Sequence, residues 1–279
     1  MRVESYLDLD SGKLPFKDNG CKLAFYFLFS TLNSQLSTLN LIIFLLFSQA
    51  FSQDDTLSLF VPQKPAKPLM FCSPQKEWIA AAENFEDWEE VKGIKNLVIK
   101  MPYATFDNFT GHNIYCGVQR AFLHKDAMQK LRWSAALLKK REPDYKLVLF
   151  DAARSNHAQE VLRAAVRGTP WQNFVSSPRN GSIHAYGMAV DIGLLNESGE
   201  LVDMGLPYDS FAFYAGKRGE KQALEQGLLT QTQIENREFL RQVMGHGGWI
   251  NLQSEWWHFN AAPGDTIRAK YAQPLPLPQ

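Results

Sequence analysis

The feature that most constrains this chain is a set of polar residues split between distant segments: Ser182-Ile183-His184 with Asp191, then Glu255-Trp256-Trp257-His258. Any fold for the sequence must bring these segments together. His184, flanked by Gly181-Ser182 and Gly187, reads as a loop residue, whereas Asp191 falls in an apolar run that reads as a strand. An inward-facing His and Asp on a buried strand would be costly without a metal or a partner. Glu255 and His258 differ by three positions, which on a regular strand sets them on opposite faces. The segment therefore turns or bulges near Trp256, or Glu255 precedes the strand; the sequence allows both.

Two imidazoles and one carboxylate, His184, His258 and Asp191, suit one Zn²⁺ per chain and leave the fourth tetrahedral position to water. Zinc can lower the pKa of such a water from about 15.7 to about 7. Glu255, beside the last ligand, is placed to take the water's proton and pass it to a leaving amine. Arg154, just after a predicted strand ending at Asp151, is the candidate cation for an oxyanion. Together these residues point to metal-assisted hydrolysis. The ligand types alone accept other divalent ions as well.

Around the site the sequence alternates helical and extended patterns without a clean β-α-β order. Strands are predicted at 97–101, 145–151, 188–195 and 249–260, with a turn at Asn196-Glu197-Ser198-Gly199. Helices are predicted at 125–141, ended by Pro143, at 158–166, stopped by Gly168 and Pro170, and at 230–244, closed by Gly245. The expected class is α+β, with a central antiparallel sheet flanked by helices. Trp256 and Trp257 are expected in the core.

The apolar stretch Leu39-Asn40-Leu41-Ile42-Ile43-Phe44-Leu45-Leu46-Phe47, followed by Ala50-Phe51-Ser52, reads as a signal peptide cleaved before Gln53. It is shorter than the ~20 residues that span a bilayer. Residues 1–52 are thus expected to be a leader, 53–74 an exposed lead-in rich in Pro, Lys and Gln, and 75–279 one domain without internal repeats. The mature chain is expected outside the cytoplasm, in a periplasm-like compartment. There Cys72 and Cys116 either pair or stay as separate buried thiols. A formal net charge of zero offers no basic footprint for nucleic acid or a membrane surface. No stable protein partner is expected.

Ser182-x-His184-x6-Asp191 with Glu255-x-x-His258 resembles the zinc D-alanyl-D-alanine dipeptidases of the VanX type, among the D,D-carboxypeptidase and Hedgehog-fold peptidases. The resemblance runs over roughly residues 96–260. It includes the segment from Tyr103 to Gly111, Ala158-Gln159, Gly199-Glu200-Leu201-Val202, and Met204-Gly205 with Asp209. It implies His184, Asp191 and His258 as zinc ligands, Glu255 as the base and Arg154 as the transition-state cation. It also implies Asp209 as the acid holding the substrate's free amino group, with Ser182, Tyr103 and Tyr115 as further substrate contacts. The implied substrate is a small D,D-dipeptide released in cell-wall peptidoglycan turnover. The alternatives are a D,D- or L,D-carboxypeptidase acting on longer wall peptides, and a non-catalytic wall-peptide binder. One departure stands out: the family reads Asp-Gly-Tyr-Arg-Pro around the arginine, and this chain has Asp151-Ala152-Ala153-Arg154-Ser155.

Overall fold

Helix α1 (Cys72–Glu83) opens the structure, a computed structural model that describes residues 64–177 and 181–275. The expected leader at 1–52 and the start of the lead-in lie outside the described residues. Structured chain begins earlier than residue 75, because Pro74 sits in the first turn of α1, where a missing N–H costs nothing. The segment before α1 is tied to a later loop: Met70 bridges to Asn113, and Phe71 N donates to the Asn113 carbonyl at 3.1 Å. Cys72 and Cys116 form a disulfide, their Cα atoms 4.9 Å apart, which settles the choice the sequence left open. It closes a loop with a sequence separation of 44, so its loss should cost about 3–4 kcal/mol by the loop-entropy estimate. The expected result is a lower denaturation midpoint for Cys72→Ala/Cys116→Ala, and an equal loss for the unmodified chain in reductant.

Strands β1 (Trp88–Glu90), β2 (Leu97–Ile99) and β3 (Phe122–His124) follow, β1 pairing antiparallel with β3. Helix α2 (Lys125–Arg141) matches the predicted bounds: Ala127, Met128, Leu131, Ala135 and Leu138 are buried at helical spacing. The His124 side chain accepts from Asp126 N at its start. Strand β4 (Lys146–Asp151) leads to α3 (Asn156–Ala165), capped by the Ser155 hydroxyl. Strand β5 (Ala189–Leu195) is buried along its whole length. The predicted turn at 196–199 returns the chain so that Leu195 bridges to Leu201.

Helices α4 (Lys217–Glu225) and α5 (Gln231–His246) come next. Thr230 and Gln233 form a capping box on α5, which runs past the predicted stop at Gly245 and is capped by Gly247. Strands β6 (Ile250–Asn251) and β7 (His258–Asn260) and helix α6 (Gly264–Lys270) complete the described fold.

The main sheet has the order β2-β4-β5-β7-β6. It is mixed, not antiparallel as expected: β2 runs parallel to β4, because β3 and α2 supply the crossover between them. The class is α+β, with α2 packed against β4 and α5. The expected strand at 249–260 is two short strands joined by a turn, which places Glu255 ahead of β7. Among the described residues no helix is long and apolar enough to cross a membrane.

Register then assembles the site. Asp151 pairs with Asp191, and Asp191 with His258, so one row across β4, β5 and β7 carries all three. On a regular strand Leu149 and Asp151 would point the same way. Instead Leu149 pairs with Ile192 and Asp151 with Asp191, two steps on β4 against one on β5. This bulge at Phe150 turns Asp151 onto the face of Asp191.

Candidate metal centre

His184 lies in a short 3-10 turn, Ile183–Tyr186, that Ser182 opens by accepting from His184 N. Gly187 closes the turn with φ of 63°, and a Cβ there would stand 2.8 Å from the His124 backbone nitrogen. The turn is laced to the chain leaving β4 twice. His184 Nδ1 meets the Ala152 carbonyl at 2.6 Å, and Arg154 N donates to the His184 carbonyl at 3.1 Å. A carbonyl can only accept, so Nδ1 carries the proton and Nε2 faces inward. His258 is fixed the same way from the other side: its Nε2 faces the Asn260 amide at 2.9 Å, which leaves Nδ1 inward when Asn260 accepts.

The inward atoms converge. His184 Nε2 and His258 Nδ1 are 3.1 Å apart, and Asp191 Oδ1 lies 3.4 Å from the first and 3.0 Å from the second. Zinc–ligand bonds of about 2.0–2.1 Å imply tetrahedron edges of roughly 3.3 Å. The three donors therefore fit one small cation, and two inward imidazole lone pairs beside a carboxylate are favourable only around a positive charge. Burial by itself would raise the Asp191 pKa, but when the inward nitrogens of His184 and His258 carry protons in place of an ion, their charge and hydrogen bonds hold it well below the carboxylate range. Its other oxygen, Oδ2, accepts from Tyr208 OH at 3.1 Å and Arg154 Nη2 at 3.3 Å.

Glu255 hangs over this group from the turn before β7, its Oε2 4.0 Å from His258 Nδ1. The turn is pinned by Asn251, whose amide donates to the Glu255 and His258 carbonyls, and by Trp256 N donating to the Ala215 carbonyl. Gly216 packs so tightly beneath it that a Cβ would fall 2.4 Å from Glu255 N. Burial pushes the Glu255 carboxyl up to about 7; nearby Asp191 pushes the same way, against His258 and Arg154.

Arg154 is buried. Its Nε donates to Asp151 Oδ2 and its Nη1 to Gln159 Oε1, each at 2.8 Å. Tyr115 OH donates to the other oxygen of Asp151 at 2.9 Å, so Tyr115 stands behind the arginine and does not line the cavity. Where the family pattern has proline, Ser155 caps α3 by accepting from Ala158 N at 3.0 Å. A capped helix start thus fixes the backbone after Arg154. Tyr103 OH donates to Asp209 Oδ2 at 2.5 Å. Asp209 has φ of 60°, and burial, then the Asp191 charge, raise its carboxyl well above the usual range.

A cavity of about 260 Å³ joins Tyr103, Arg154, Ser182, His184, Asp191, Asp209, Glu255 and His258, with Phe109, Phe174, Phe211 and Trp257 as apolar wall. Every predicted site residue but Tyr115 lines it. The motifs assign no role to Tyr208, Asp151 or Asn260. Asp151 does open the segment around Arg154, and Asn260 lies two positions after His258 on the same strand face, whereas Tyr208 leaves no trace.

The model of the D-Ala-D-Ala dipeptidase family, peptidase M15, matches residues 82–276, most of the chain and all of this site. The chain belongs to that family. It is a metallopeptidase. It is 34% identical over 164 residues to the D-alanyl-D-alanine dipeptidase of Escherichia coli strain K12, covering 59% of this chain and 78% of that protein. The proteins of the same name from Enterococcus faecalis and Synechocystis are 28% and 26% identical over 56% and 64% of this chain, and 82% and 81% of their own length. For a member of this metallopeptidase family, the residue behind a ligand has a measurable role. Asn260→Ala should weaken metal affinity by about tenfold or more, read by chelator competition, without changing the number of ions bound at saturation.

Proposed function

We propose that this chain is a zinc-dependent dipeptidase that hydrolyses D-alanyl-D-alanine, with Glu255 as general base, in turnover of cell-wall peptides outside the cytoplasm. The observation that carries the reading is the pairing of two features in one small cavity: three donors at tetrahedral spacing with Glu255 above them, and a buried acid, Asp209, in the same wall. An ion held by His184, Asp191 and His258 would supply Lewis acidity toward water and the scissile carbonyl.

The protein's residues do the rest. Glu255 accepts the proton of the attacking water and returns it to the departing amine. Arg154 presents fixed positive charge to the oxyanion of the tetrahedral intermediate. Asp209 takes the substrate's free ammonium; its raised pKa means that a cation there relieves an unfavourable buried anion. A longer peptide has an amide, not an ammonium, at that place, so the acid selects dipeptides. The aromatic wall suits small apolar side chains.

The disulfide supports an oxidising compartment, as expected of an exported chain. The Hedgehog-type peptidase fold that the motifs imply belongs to the same proposal.

The deciding experiment is a panel of Ala-Ala stereoisomers and an N-blocked D-Ala-D-Ala on chain beginning at Gln53, with metal analysis alongside. Rapid release of alanine from the free D,D-dipeptide alone is expected, with one zinc per chain. Turnover confined to blocked or extended peptides would replace the dipeptidase reading with a carboxypeptidase.

A further inference from the structure

Two of the groups that grip Arg154, Asp151 and Asp191, are carboxylates; the third is neutral. We infer that Gln159 is a positioning residue of the reaction, aiming the Arg154 guanidinium and tying it to the cavity wall at Ser176. The inference rests on the proposed role of Arg154.

Gln159 is only 1% exposed and lines the cavity. Both ends of its amide are engaged: Oε1 accepts from Arg154 Nη1 at 2.8 Å, and Nε2 donates to the Ser176 carbonyl at 2.9 Å. This orientation is the only one both partners permit, since the reverse sets an N–H against the guanidinium and an oxygen against the carbonyl. The amide is itself held close to Arg154, because Gln159 N donates to the Ser155 carbonyl at 3.0 Å in the capped first turn of α3. Phe174, Val175 and Ser176 form part of the cavity wall. The glutamine therefore bridges the cation and the surface against which substrate packs.

Its neutrality matters. Asp151 and Asp191 already face the guanidinium, and a third carboxylate would spend more of the charge that the oxyanion needs. An amide directs the group without neutralising it.

The test measures kcat and KM on D-Ala-D-Ala for Gln159→Met, alone and with Arg154→Met, together with metal content and melting temperature. Alone, Gln159→Met should lower kcat about tenfold or more, with KM within about threefold and one ion still bound per chain. With Arg154→Met, the same change should lower kcat by less than about twofold, because a residue acting through the arginine has nothing left to aim. Equal losses in both backgrounds, or wild-type kcat for Gln159→Met, overturn the inference. Wild-type turnover by Arg154→Met overturns the role of Arg154 itself, and the inference with it. If Gln159→Met does not fold, Gln159→Glu replaces it in the same cycle. Its extra negative charge should lower kcat only while Arg154 is present, and an unchanged kcat counts against the inference.

Discussion

Glu255→Gln is expected to bind one metal ion per chain and to lose nearly all turnover, by about 10²–10⁴-fold in kcat. The substitution keeps the shape of the side chain and leaves His184, Asp191 and His258 untouched, but an amide cannot accept the water's proton. Its small size change matters because the turn carrying Glu255 is clamped by Asn251, Ala215 and Gly216. The same carboxyl governs acid sensitivity. Burial pushes it up to about 7, and a base works only when deprotonated, so activity should fall as pH drops. A bound cation beside it moves that midpoint down, which sets the acid limb of kcat/KM at or below about 7. Metal analysis with stopped-time assays across pH checks both parts. Ordinary turnover by Glu255→Gln would sink the mechanism.

Arg154→Met should lower kcat by about 10²–10³-fold, the range for removing a fixed donor from an oxyanion site, with a much smaller effect on KM. It should also destabilise the protein. The guanidinium is the shared cation of Asp151 and Asp191, both buried, and breaking a buried pair typically costs about 3–5 kcal/mol. Arg154→Lys separates these effects. Lysine keeps the charge between the two carboxylates but lacks the planar fork that meets Asp151 and Gln159 together. Melting should recover in Arg154→Lys more fully than kcat does. Recovery of both to the wild-type level would reduce Arg154 to a counter-ion.

Much of the site was legible because its chemistry is expensive. His184, Asp191, Glu255 and His258 are polar residues in apolar surroundings, and their spacing stood out against the core around them. Helix α2 was legible to the residue, since its apolar period is regular and Pro143 lies just beyond its end. Other parts had no local signal. The parallel pairing of β2 with β4 depends on a crossover through β3 and α2, which no window of sequence encodes. Strands β1 and β3 are three residues each, too short for alternation to show. Periodicity favoured one strand at 249–260, whereas the site needs the turn that lifts Glu255 over the ligands. Tyr208 reaches Asp191 through tertiary packing alone.

Gly216 carries a consequence for how variation in such a chain is interpreted. A methyl group there would lie 2.3 Å from the Ser254 carbonyl carbon and 2.4 Å from Glu255 N, so the peptide bearing Glu255, the proposed base, would have to shift. A residue with no functional group then behaves genetically like a catalytic one. In a map of inactivating substitutions, Gly216 would rank with the acids and imidazoles, and only its retained metal would distinguish a displaced base from a lost ligand.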